Sequence, residues 1–285
     1  MTATTESAPD RCGLCDGALR ESFVLTVLEK YRVRYRTCER CGSLQTEPAY
    51  WLQQAYESNN LALLDTGAAQ RNLANVAAAF VVSRLLRMNA VLDYGGGDGL
   101  LCRMLRDYTV NCFVDDKYAT VTYARAFTRP DFSTPDLLLA FEVFEHFEHP
   151  RQELQALFRR APAAILASTL LYTGQNSDWW YLSPETGQHV FFYTHGALSA
   201  IAIEHGYRLA VCGPYILFYR PQSCGALRVV LLKLMLRRVP RTLIGMLLRG
   251  WPPRGVWKDF ERLRRRSARD AESRTRADAG PKGRV

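Results

Sequence analysis

The sequence lacks several features that would assign it to a common class of protein. No apolar run reaches the ~18–20 residues of a membrane-spanning helix. Residues 1–10 are polar and carry neither the basic nor the apolar region of a secretory signal. Acidic and basic residues are nearly balanced outside the last 60 positions, so the body shows no surface typical of nucleic-acid binding. We therefore expect a cytoplasmic protein with a globular core.

Positive charge is concentrated at the C-terminus. The net charge of the chain is +9, whereas residues 226–285 alone carry 17 Lys/Arg against 5 Asp/Glu. Residues 227–248 mix aliphatic side chains with Arg and Lys and are interrupted by Pro240. This composition is typical of a basic amphipathic helix on an anionic membrane, at its inner face, or of a solvated helical appendage. The Arg-, Ala- and Asp-rich composition of residues 261–285 predicts that this segment is disordered.

One short stretch organises the middle of the chain. An apolar run ends in Asp93, and Gly95, Gly97 and Gly99 follow at alternate positions. This pattern predicts a buried parallel strand, a tight turn and the first turn of a helix. Glycine suits such a turn because the backbone bends sharply and lets a ligand approach where a Cβ would clash.

An acidic pair follows the glycine turn at a characteristic distance. Residues 110–114 predict a second strand that leads into Asp115 and Asp116. An acid about 20 residues after the turn holds ribose hydroxyls in nucleotide-binding βαβ units. The dinucleotide spacing Gly-x-Gly-x-x-Gly is absent, because position 100 is Leu. We predict that Asp116, or its neighbour Asp115, binds the ribose of a cofactor that is not a dinucleotide.

The motif Asp-x-Gly-x-Gly-x-Gly at residues 93–99 resembles the cofactor loop of class I S-adenosylmethionine-dependent methyltransferases. The resemblance covers roughly residues 75–220, about half of the chain. It implies S-adenosylmethionine as the cofactor. It also implies a doubly wound, Rossmann-like α/β sheet as the fold.

Four cysteines near the N-terminus have the spacing of a metal site. Cys12, Cys15, Cys38 and Cys41 form two Cys-x2-Cys pairs separated by 22 residues. Two such pairs can close a tetrahedral zinc site, and the lack of a secretory signal favours metal binding over disulfides. Alternation over residues 23–35 predicts two short strands between the pairs. We predict a zinc ribbon with a structural metal, because four thiolates leave no open coordination position.

An acidic and imidazole cluster follows another predicted strand, over residues 135–141. Glu142, Glu145 and His146 stand at i, i+3 and i+4, so one helical turn would project all three to the same side. Ligands of open parallel sheets bind at the carboxyl ends of strands, which places this cluster beside the cofactor. His146, oriented by Glu145, is then the candidate base for the acceptor proton. A solvated helix start is the alternative.

Two further resemblances concern this cluster. Glu-Val-x-Glu-His at residues 142–146 resembles sugar-modifying methyltransferases with an N-terminal zinc-binding segment, such as deoxysugar C-methyltransferases. The cysteine pairs, together with the motif Trp-Tyr-x-x-Pro-Glu-x-Gly-Gln-His at 180–189, resemble methyltransferases of surface-polysaccharide gene sets. Glu-x-x-Glu-His also resembles O-methyltransferases of ubiquinone biosynthesis and small-RNA 3′-end methylation, which hold a divalent ion through this motif and a distant histidine. That resemblance implies His189 as a further ligand and Mg²⁺ or Mn²⁺ as the ion.

Three functional hypotheses follow. The preferred one is methyl transfer to a small or carbohydrate acceptor, such as a nucleotide- or lipid-linked sugar of a surface glycan or secondary metabolite, with His146 as a metal-free base. The second is a divalent-metal-dependent O-methyltransferase acting on RNA or a quinone-like lipid. The third is a non-catalytic module that binds the cofactor or a partner, although such a module has no use for an intact Glu-Glu-His cluster.

The remaining candidate residues have ordinary interpretations. Residues 179–181, Trp-Trp-Tyr, predict either core aromatics or an acceptor lid that stacks on a sugar or ring. His149 and His195 predict surface or helix-cap positions. Four further cysteines predict small buried side chains: Cys102, Cys112, Cys212 and Cys224.

The predicted order of domains has four parts. They are a zinc ribbon over residues 1–48, linker and packing helices over 49–88, the class I methyltransferase domain over 89–222 and the basic C-terminal extension over 223–285.

Overall fold

Two β-sheets and a set of helices organise the chain. The computed structural model describes residues 11–58 and 63–278, with side chains as far as residue 269. The strands are β1 Leu19–Val27, β2 Tyr31–Cys38, β3 Leu44–Thr46, β4 Val91–Tyr94, β5 Cys112–Asp115, β6 Leu137–Phe141, β7 Ala164–Ser168, β8 Phe191–Phe192, β9 Arg208–Cys212 and β10 Tyr215–Tyr219. The α-helices are α1 Leu52–Glu57, α2 Ala68–Leu85, α3 Leu100–Asp107, α4 Pro150–Arg159, α5 His195–Glu204, α6 Ala226–Met235, α7 Arg238–Arg249 and α8 Arg254–Asp278.

The larger sheet has six strands in the order β5-β4-β6-β7-β10-β9. Strands β5, β4, β6 and β7 pair in parallel, and β10 runs antiparallel to both of its neighbours. This mixed α/β sheet is consistent with the predicted Rossmann-like methyltransferase fold. The strand, turn and helix predicted around Asp93 are confirmed, since β4 ends at Tyr94 and α3 begins at Leu100.

Alternate residues of the central strands face two separate cores. Leu137 and Leu139 of β6 pack on one side, in the core that includes residues of α2, α3 and α6. Leu138 and Ala140 pack on the other side, against residues of α4 and α5 and against Cys12 and Cys38 of the cysteine pairs. The N-terminal segment is therefore built into the second face of the large sheet.

The smaller sheet combines N-terminal strands with a strand from the middle of the chain. Strands β1 and β2 form the predicted hairpin, β3 pairs with β2, and β8 completes the order β1-β2-β3-β8. The β3–β8 pairing joins Leu44 to Phe192 and Gln45 to Phe191. Strand β8 was not predicted, because two residues are too short for a periodic signal. It begins two residues after His189 and connects the N-terminal strands to the middle of the chain.

The C-terminal segment is helical where disorder was predicted. Helix α8 continues to Asp278, well beyond residue 261, whereas residues 279–285 lie outside the described part. Ala, Arg and Glu, which are common in this helix, have high helix propensity. A buried ion pair fixes α8 on α3: the Arg106 guanidinium donates to both carboxylate oxygens of Asp259, at 2.7 and 2.8 Å.

Pro240 does not separate the C-terminal helices as expected. It lies in the first turn of α7, where a missing N–H costs no hydrogen bond. The break between α6 and α7 falls instead at residues 236–237. No helix in the described ranges is long and apolar enough to cross a membrane.

Candidate functional site

The glycine turn after β4 has the backbone geometry that a ligand loop requires. Gly95, Gly97 and Gly99 have φ values of +66°, +57° and +82°, which only glycine adopts readily. A Cβ on Gly97 would meet no atom within 4 Å, so this side of the turn is open. A Cβ on Gly99 would lie 2.9 Å from Val121, so that glycine serves packing.

The two candidate ribose acids point in different directions. Asp116 faces the turn, because its Oδ2 accepts a hydrogen bond from Gly97 N at 2.8 Å. Asp115 pairs instead with Arg160, at 2.7 Å. Successive side chains at the end of a strand project to opposite faces, which accounts for the difference. The structure thus favours Asp116 as the residue that would face a cofactor in the turn.

Asp93 lies beneath the same turn, and its carboxylate is not fully hydrogen-bonded. Its Oδ2 is buried and has no hydrogen-bond partner. Burial, together with the nearby charge of Asp116, raises the pKa of Asp93 to about 7. An open glycine face, an unpaired buried carboxylate oxygen and a second acid within the turn fit a ligand with hydroxyl and cationic groups, as S-adenosylmethionine has.

Gly97→Ala should weaken S-adenosylmethionine binding at least about tenfold, or about 1.4 kcal/mol, because the new methyl group would occupy the open side of the turn. Gly206→Ala is the matched control, since Gly206 also has a positive φ, of +76°, and open space around its Cβ position. Both variants carry the same kind of backbone strain. Calorimetric titration measures the affinity, and equal affinities in the two variants would contradict the assignment of the turn.

The four N-terminal cysteines form one cluster. Their sulfurs all lie within 4.8 Å of one another. The Cys12–Cys41 and Cys15–Cys38 sulfur pairs are 3.8 and 3.5 Å apart. A zinc ion about 2.3 Å from four tetrahedral sulfurs implies sulfur–sulfur distances of about 3.8 Å. The arrangement is therefore compatible with zinc.

The acidic and imidazole cluster does not lie on one α-helical turn as predicted. Glu142 has a left-handed φ of +53°, and the turn that follows is a 3₁₀-helix over Phe144–His146. The chain therefore turns sharply after β6. Glu145, His146 and His189 are brought together, with their ligand atoms all within 4.8 Å of one another. Glu142 lies beside this cluster but is not among those three.

Both histidines are held in one tautomer. The Nδ1 atom of His146 lies 3.1 Å from the carbonyl oxygen of Gln188, and that of His189 lies 2.7 Å from the carbonyl oxygen of Tyr181. A carbonyl oxygen only accepts, so each Nδ1 carries the proton and each Nε2 carries a lone pair. The rings pack edge to face, with centroids 4.9 Å apart. A backbone carbonyl bonded to the second ring nitrogen is the usual support of a metal-binding histidine.

Burial changes the pKa values of the cluster so that the neutral form of each side chain is favoured. Burial raises the pKa of Glu145 to about 7, and neither of its carboxylate oxygens has a hydrogen-bond partner. Burial of the imidazole lowers the pKa of His146 to about 3, and electrostatic repulsion from His189 contributes to the same shift. Burial likewise lowers the pKa of His189. Two neutral imidazoles and an unpaired carboxylate form a set that lacks a positive charge of its own.

Glu142 is positioned by the neighbouring strand. Its Oε1 accepts a hydrogen bond of 2.5 Å from the hydroxyl of Ser168, at the end of β7. Burial and the charge of Glu145 raise the pKa of Glu142 to about 7, while Arg71 of α2 opposes the shift. Sequence reasoning missed Ser168 and Arg71. A polar residue at the carboxyl end of a buried strand was the available signal for Ser168.

The other candidates lie where ordinary roles place them. His149 and His195 are exposed residues at the starts of α4 and α5, and the four remaining cysteines are buried. Of the aromatic residues 179–181, Tyr181 is buried and supports His189, whereas Trp180 is 74% exposed. The predicted acceptor lid therefore reduces to Trp180 and the partly exposed Trp179.

Comparisons with known proteins agree with this geometry. A family model described as a methyltransferase domain matches residues 54–210, more than half of the chain. Among curated proteins, none matched the sequence.

Similar solved structures are methyltransferases. One is the magnesium protoporphyrin IX methyltransferase of Synechocystis PCC 6803 with bound S-adenosylhomocysteine, with 15% identity over 61% of this chain and 97% of that chain and a TM-score of 0.44. Another is the 1,6-didemethyltoxoflavin N1-methyltransferase of Burkholderia thailandensis, with 14% identity over 65% and 93% and a TM-score of 0.44. The methyltransferase domain of bacterial CtHen1 shares 17% identity over 52% and 98%, with a TM-score of 0.37. The chain belongs to the methyltransferase-domain family whose model matches residues 54–210, and it is a methyltransferase.

Proposed function

We propose that the enzyme methylates a hydroxyl group of a small or carbohydrate acceptor and that Glu145, His146 and His189 hold a divalent ion, Mg²⁺ or Mn²⁺, at the acceptor site. One observation carries this proposal. One ligand atom from each of Glu145, His146 and His189 lies within 4.8 Å of the other two, and neither carboxylate oxygen of Glu145 has a hydrogen-bond partner. The carboxylate suits these ions, and water and the acceptor hydroxyl would supply further oxygen ligands. This inverts the preference drawn from the sequence, which was a metal-free base.

The properties of His146 argue against that metal-free base. A general base works best when its pKa lies near the operating pH, and burial lowers the pKa of His146 to about 3. Such an imidazole accepts a proton poorly at neutral pH, but its lone pair is fully available to a cation. The hydrogen bond from Nδ1 to Gln188 also keeps the ring in the orientation that a ligand needs.

Glu142 is the proposed proton acceptor in the transfer. A bound divalent cation would favour the ionised form of an acceptor hydroxyl. Glu142 is a buried carboxylate beside the cluster that interacts with Glu145 and His189, and a general base must lie within reach of the acceptor hydroxyl. The hydroxyl proton passes to Glu142, and the oxygen forms a bond to the methyl carbon as the sulfur–methyl bond of S-adenosylmethionine breaks. The products are a methyl ether and S-adenosylhomocysteine.

Exposed aromatic surface supports a ring-shaped acceptor. Trp180 packs edge to face on Tyr181, with centroids 5.5 Å apart, and Tyr181 packs in turn on His189 at 4.7 Å. An indole with 74% of its surface exposed next to a catalytic cluster is suited to stack on a sugar or an aromatic ring. A nucleotide- or lipid-linked sugar is the acceptor that we propose within this class.

We also propose that Cys12, Cys15, Cys38 and Cys41 bind one structural zinc ion. The sulfur separations near 3.8 Å support this. A hydrogen bond from the Cys12 thiol is the main reason that the pKa of Cys41 is lowered to about 5. The lowered pKa favours the thiolate, which is the form that binds metal.

Isotope transfer tests the proposed reaction. The enzyme is incubated with S-adenosylmethionine labelled in the methyl group, a panel of sugar nucleotides and lipid-linked sugars, and either Mg²⁺ or no added divalent ion. We expect the label on an acceptor oxygen, as shown by mass spectrometry of the fragmented product, and only in the presence of the ion. Label on carbon or nitrogen, or equal transfer without the ion, would contradict the proposal.

A further inference from the structure

The three C-terminal helices expose apolar stripes that packing leaves uncovered. On α6 the exposed apolar residues stand at i, i+3, i+4 and i+7, which is one face of a helix: Leu227, Val230, Leu231 and Leu234. On α7 they stand at i, i+4, i+7 and i+8, again one face: Val239, Leu243, Met246 and Leu247. Around the start of α8 the exposed residues are aromatic or aliphatic: Trp251, Val256, Trp257 and Phe260.

The same helices already have an inner face that packs on the enzyme. Val229 and Leu232 of α6 and Leu248 of α7 are buried in the core between the large sheet and α2. Asp259 of α8 is buried in its pairing with Arg106. The exposed stripes are therefore additional to the surface that folding buries. Exposed apolar surface that folding leaves uncovered marks an interaction site.

The charge around these stripes is predominantly positive, because Asp259 is buried in its pairing with Arg106 and the exposed Glu261 pairs with Arg265. Residues 221–258 contain eight Lys/Arg and no Asp/Glu. The basic residues are Arg228, Lys233, Arg237, Arg238, Arg241, Arg249, Arg254 and Lys258. Of these, Arg241 packs inward, with a buried Nη1 atom and its guanidinium over the Tyr215 ring. Long basic side chains extend their charged ends away from an apolar surface that their stems cover.

We propose that α6, α7 and the first turns of α8 form a docking face for an anionic membrane surface. Apolar stripes flanked by Lys and Arg, with two tryptophans at the edge, are the composition of helices that lie in the headgroup region of a bilayer. A second copy of the chain is disfavoured, because a symmetric contact would place the same basic residues against each other with no acid between residues 221 and 258.

The docking face adjoins the catalytic edge of the sheet. The guanidinium of Arg241, in α7, lies 5.0 Å from the ring centroid of Tyr215, and that ring packs on Phe141 at 5.9 Å. Phe141 precedes Glu142 directly. If the proposed function holds, a docked enzyme would carry its acceptor site close to the membrane surface, which suits an acceptor with a lipid anchor.

Vesicle flotation tests the docking face with the full chain. Vesicles of phosphatidylcholine with equal phosphatidylglycerol are compared with vesicles of phosphatidylcholine alone. The apolar variant is Leu227→Gln/Val239→Gln/Leu247→Gln/Trp257→Gln, at side chains that are 82%, 69%, 70% and 70% exposed. Removing the whole segment is unsuitable, because it would strip Val229 and Leu232 from the core.

Two further variants complete the design. The charge variant is Lys233→Gln/Arg238→Gln/Arg249→Gln/Lys258→Gln, at exposed positions of the docking face. Its matched control removes four exposed charges elsewhere: Arg20→Gln/Arg32→Gln/Arg125→Gln/Arg129→Gln. Ile203→Gln, at an apolar residue of α5 that is 74% exposed, is the control for the apolar variant. Circular dichroism and S-adenosylmethionine affinity verify that each variant is folded.

We expect the wild-type enzyme to float with anionic vesicles and not with neutral ones, and its binding to fall at high salt. The apolar and charge variants should each lose at least about tenfold in vesicle affinity, whereas both controls should bind as the wild type does. Absence of wild-type flotation, or flotation unchanged in the apolar variant, would overturn the proposal. A dimer in sedimentation that the apolar variant abolishes, without vesicle binding, would assign the face to a second copy instead.

Discussion

His189→Ala should lower the rate of methyl transfer at least about 10²-fold, a loss comparable to that of His146→Ala. The two residues are 43 positions apart, yet their ring nitrogens and the Glu145 carboxylate form one cluster within 4.8 Å. If the three side chains share an ion, removal of any one of them disrupts the same site. Glu145→Gln, which keeps the shape of the side chain and removes its charge, should be similarly damaging.

His195→Ala is the matched control for this comparison. His195 is an exposed residue at the start of α5, and its replacement should leave turnover unchanged. The affinity for S-adenosylmethionine should stay at the wild-type value in all four variants, because the glycine turn is separate from the cluster. An active His189→Ala enzyme beside an inactive His146→Ala enzyme would restore the metal-free base that the sequence favoured.

The double variant Cys38→Ser/Cys41→Ser should lose the zinc ion, the fold of the ribbon and most of the activity. Structural zinc contributes about 10–16 kcal/mol of binding free energy in small zinc-finger peptides, so a ribbon without it does not hold its strands. The loss should reach the catalytic cluster through β3, which pairs with β8 just after His189. Val190 N also donates to the carbonyl oxygen of Glu145, at 2.8 Å.

A second link joins the cysteines to the catalytic half of the chain. The hydroxyl of Thr194 donates to the carbonyl oxygen of Cys41 at 2.7 Å and accepts from Ala197 N at the start of α5. Elemental analysis measures the zinc, and hydrogen exchange of the amides of residues 190–192 measures the predicted loosening. Cys212→Ala/Cys224→Ala, at two buried cysteines outside the cluster, should keep both zinc and protection. Unchanged protection of residues 190–192 in a zinc-free double variant would contradict the link.

Local signals predicted the strand, turn and helix around the glycines. Asp93 and the three glycines stand at alternate positions within residues 93–99, and the positive φ values at the glycines follow from the turn itself. The choice between Asp115 and Asp116 was open, because it depends on which side of β5 each side chain faces. The structure answers it through the hydrogen bond from Gly97 to Asp116.

Long-range contacts limited what could be predicted for the catalytic cluster. The convergence of His189 with Glu145 and His146 came only from a family resemblance, since no local pattern connects residues 43 positions apart. The i, i+3, i+4 spacing suggested a helical face, but the left-handed φ of Glu142 turns the chain before the 3₁₀-helix begins. The carbonyl groups of Gln188 and Tyr181 that fix the histidine tautomers are backbone atoms, which no sequence motif identifies.

Composition misled the prediction for the end of the chain. Arg-, Ala- and Asp-rich sequence is common to disordered tails and to solvated helices, and the two differ in whether the segment finds a packing partner. Asp259 supplies that partner contact by pairing with Arg106 of α3. The available signal was that Asp259 is the first acid after residues 221–258, which contain none.

Electron paramagnetic resonance of Mn²⁺ tests the central claim, that Glu145, His146 and His189 hold a divalent ion. Mn²⁺ is titrated into the full chain loaded with zinc, and the loss of the free-ion signal counts the bound ions. The account predicts about one bound Mn²⁺ per chain in the wild type. It predicts no binding in Glu145→Gln/His189→Ala, with the zinc content unchanged. A wild-type enzyme that binds no Mn²⁺, or a double variant that binds it equally well, would contradict the account.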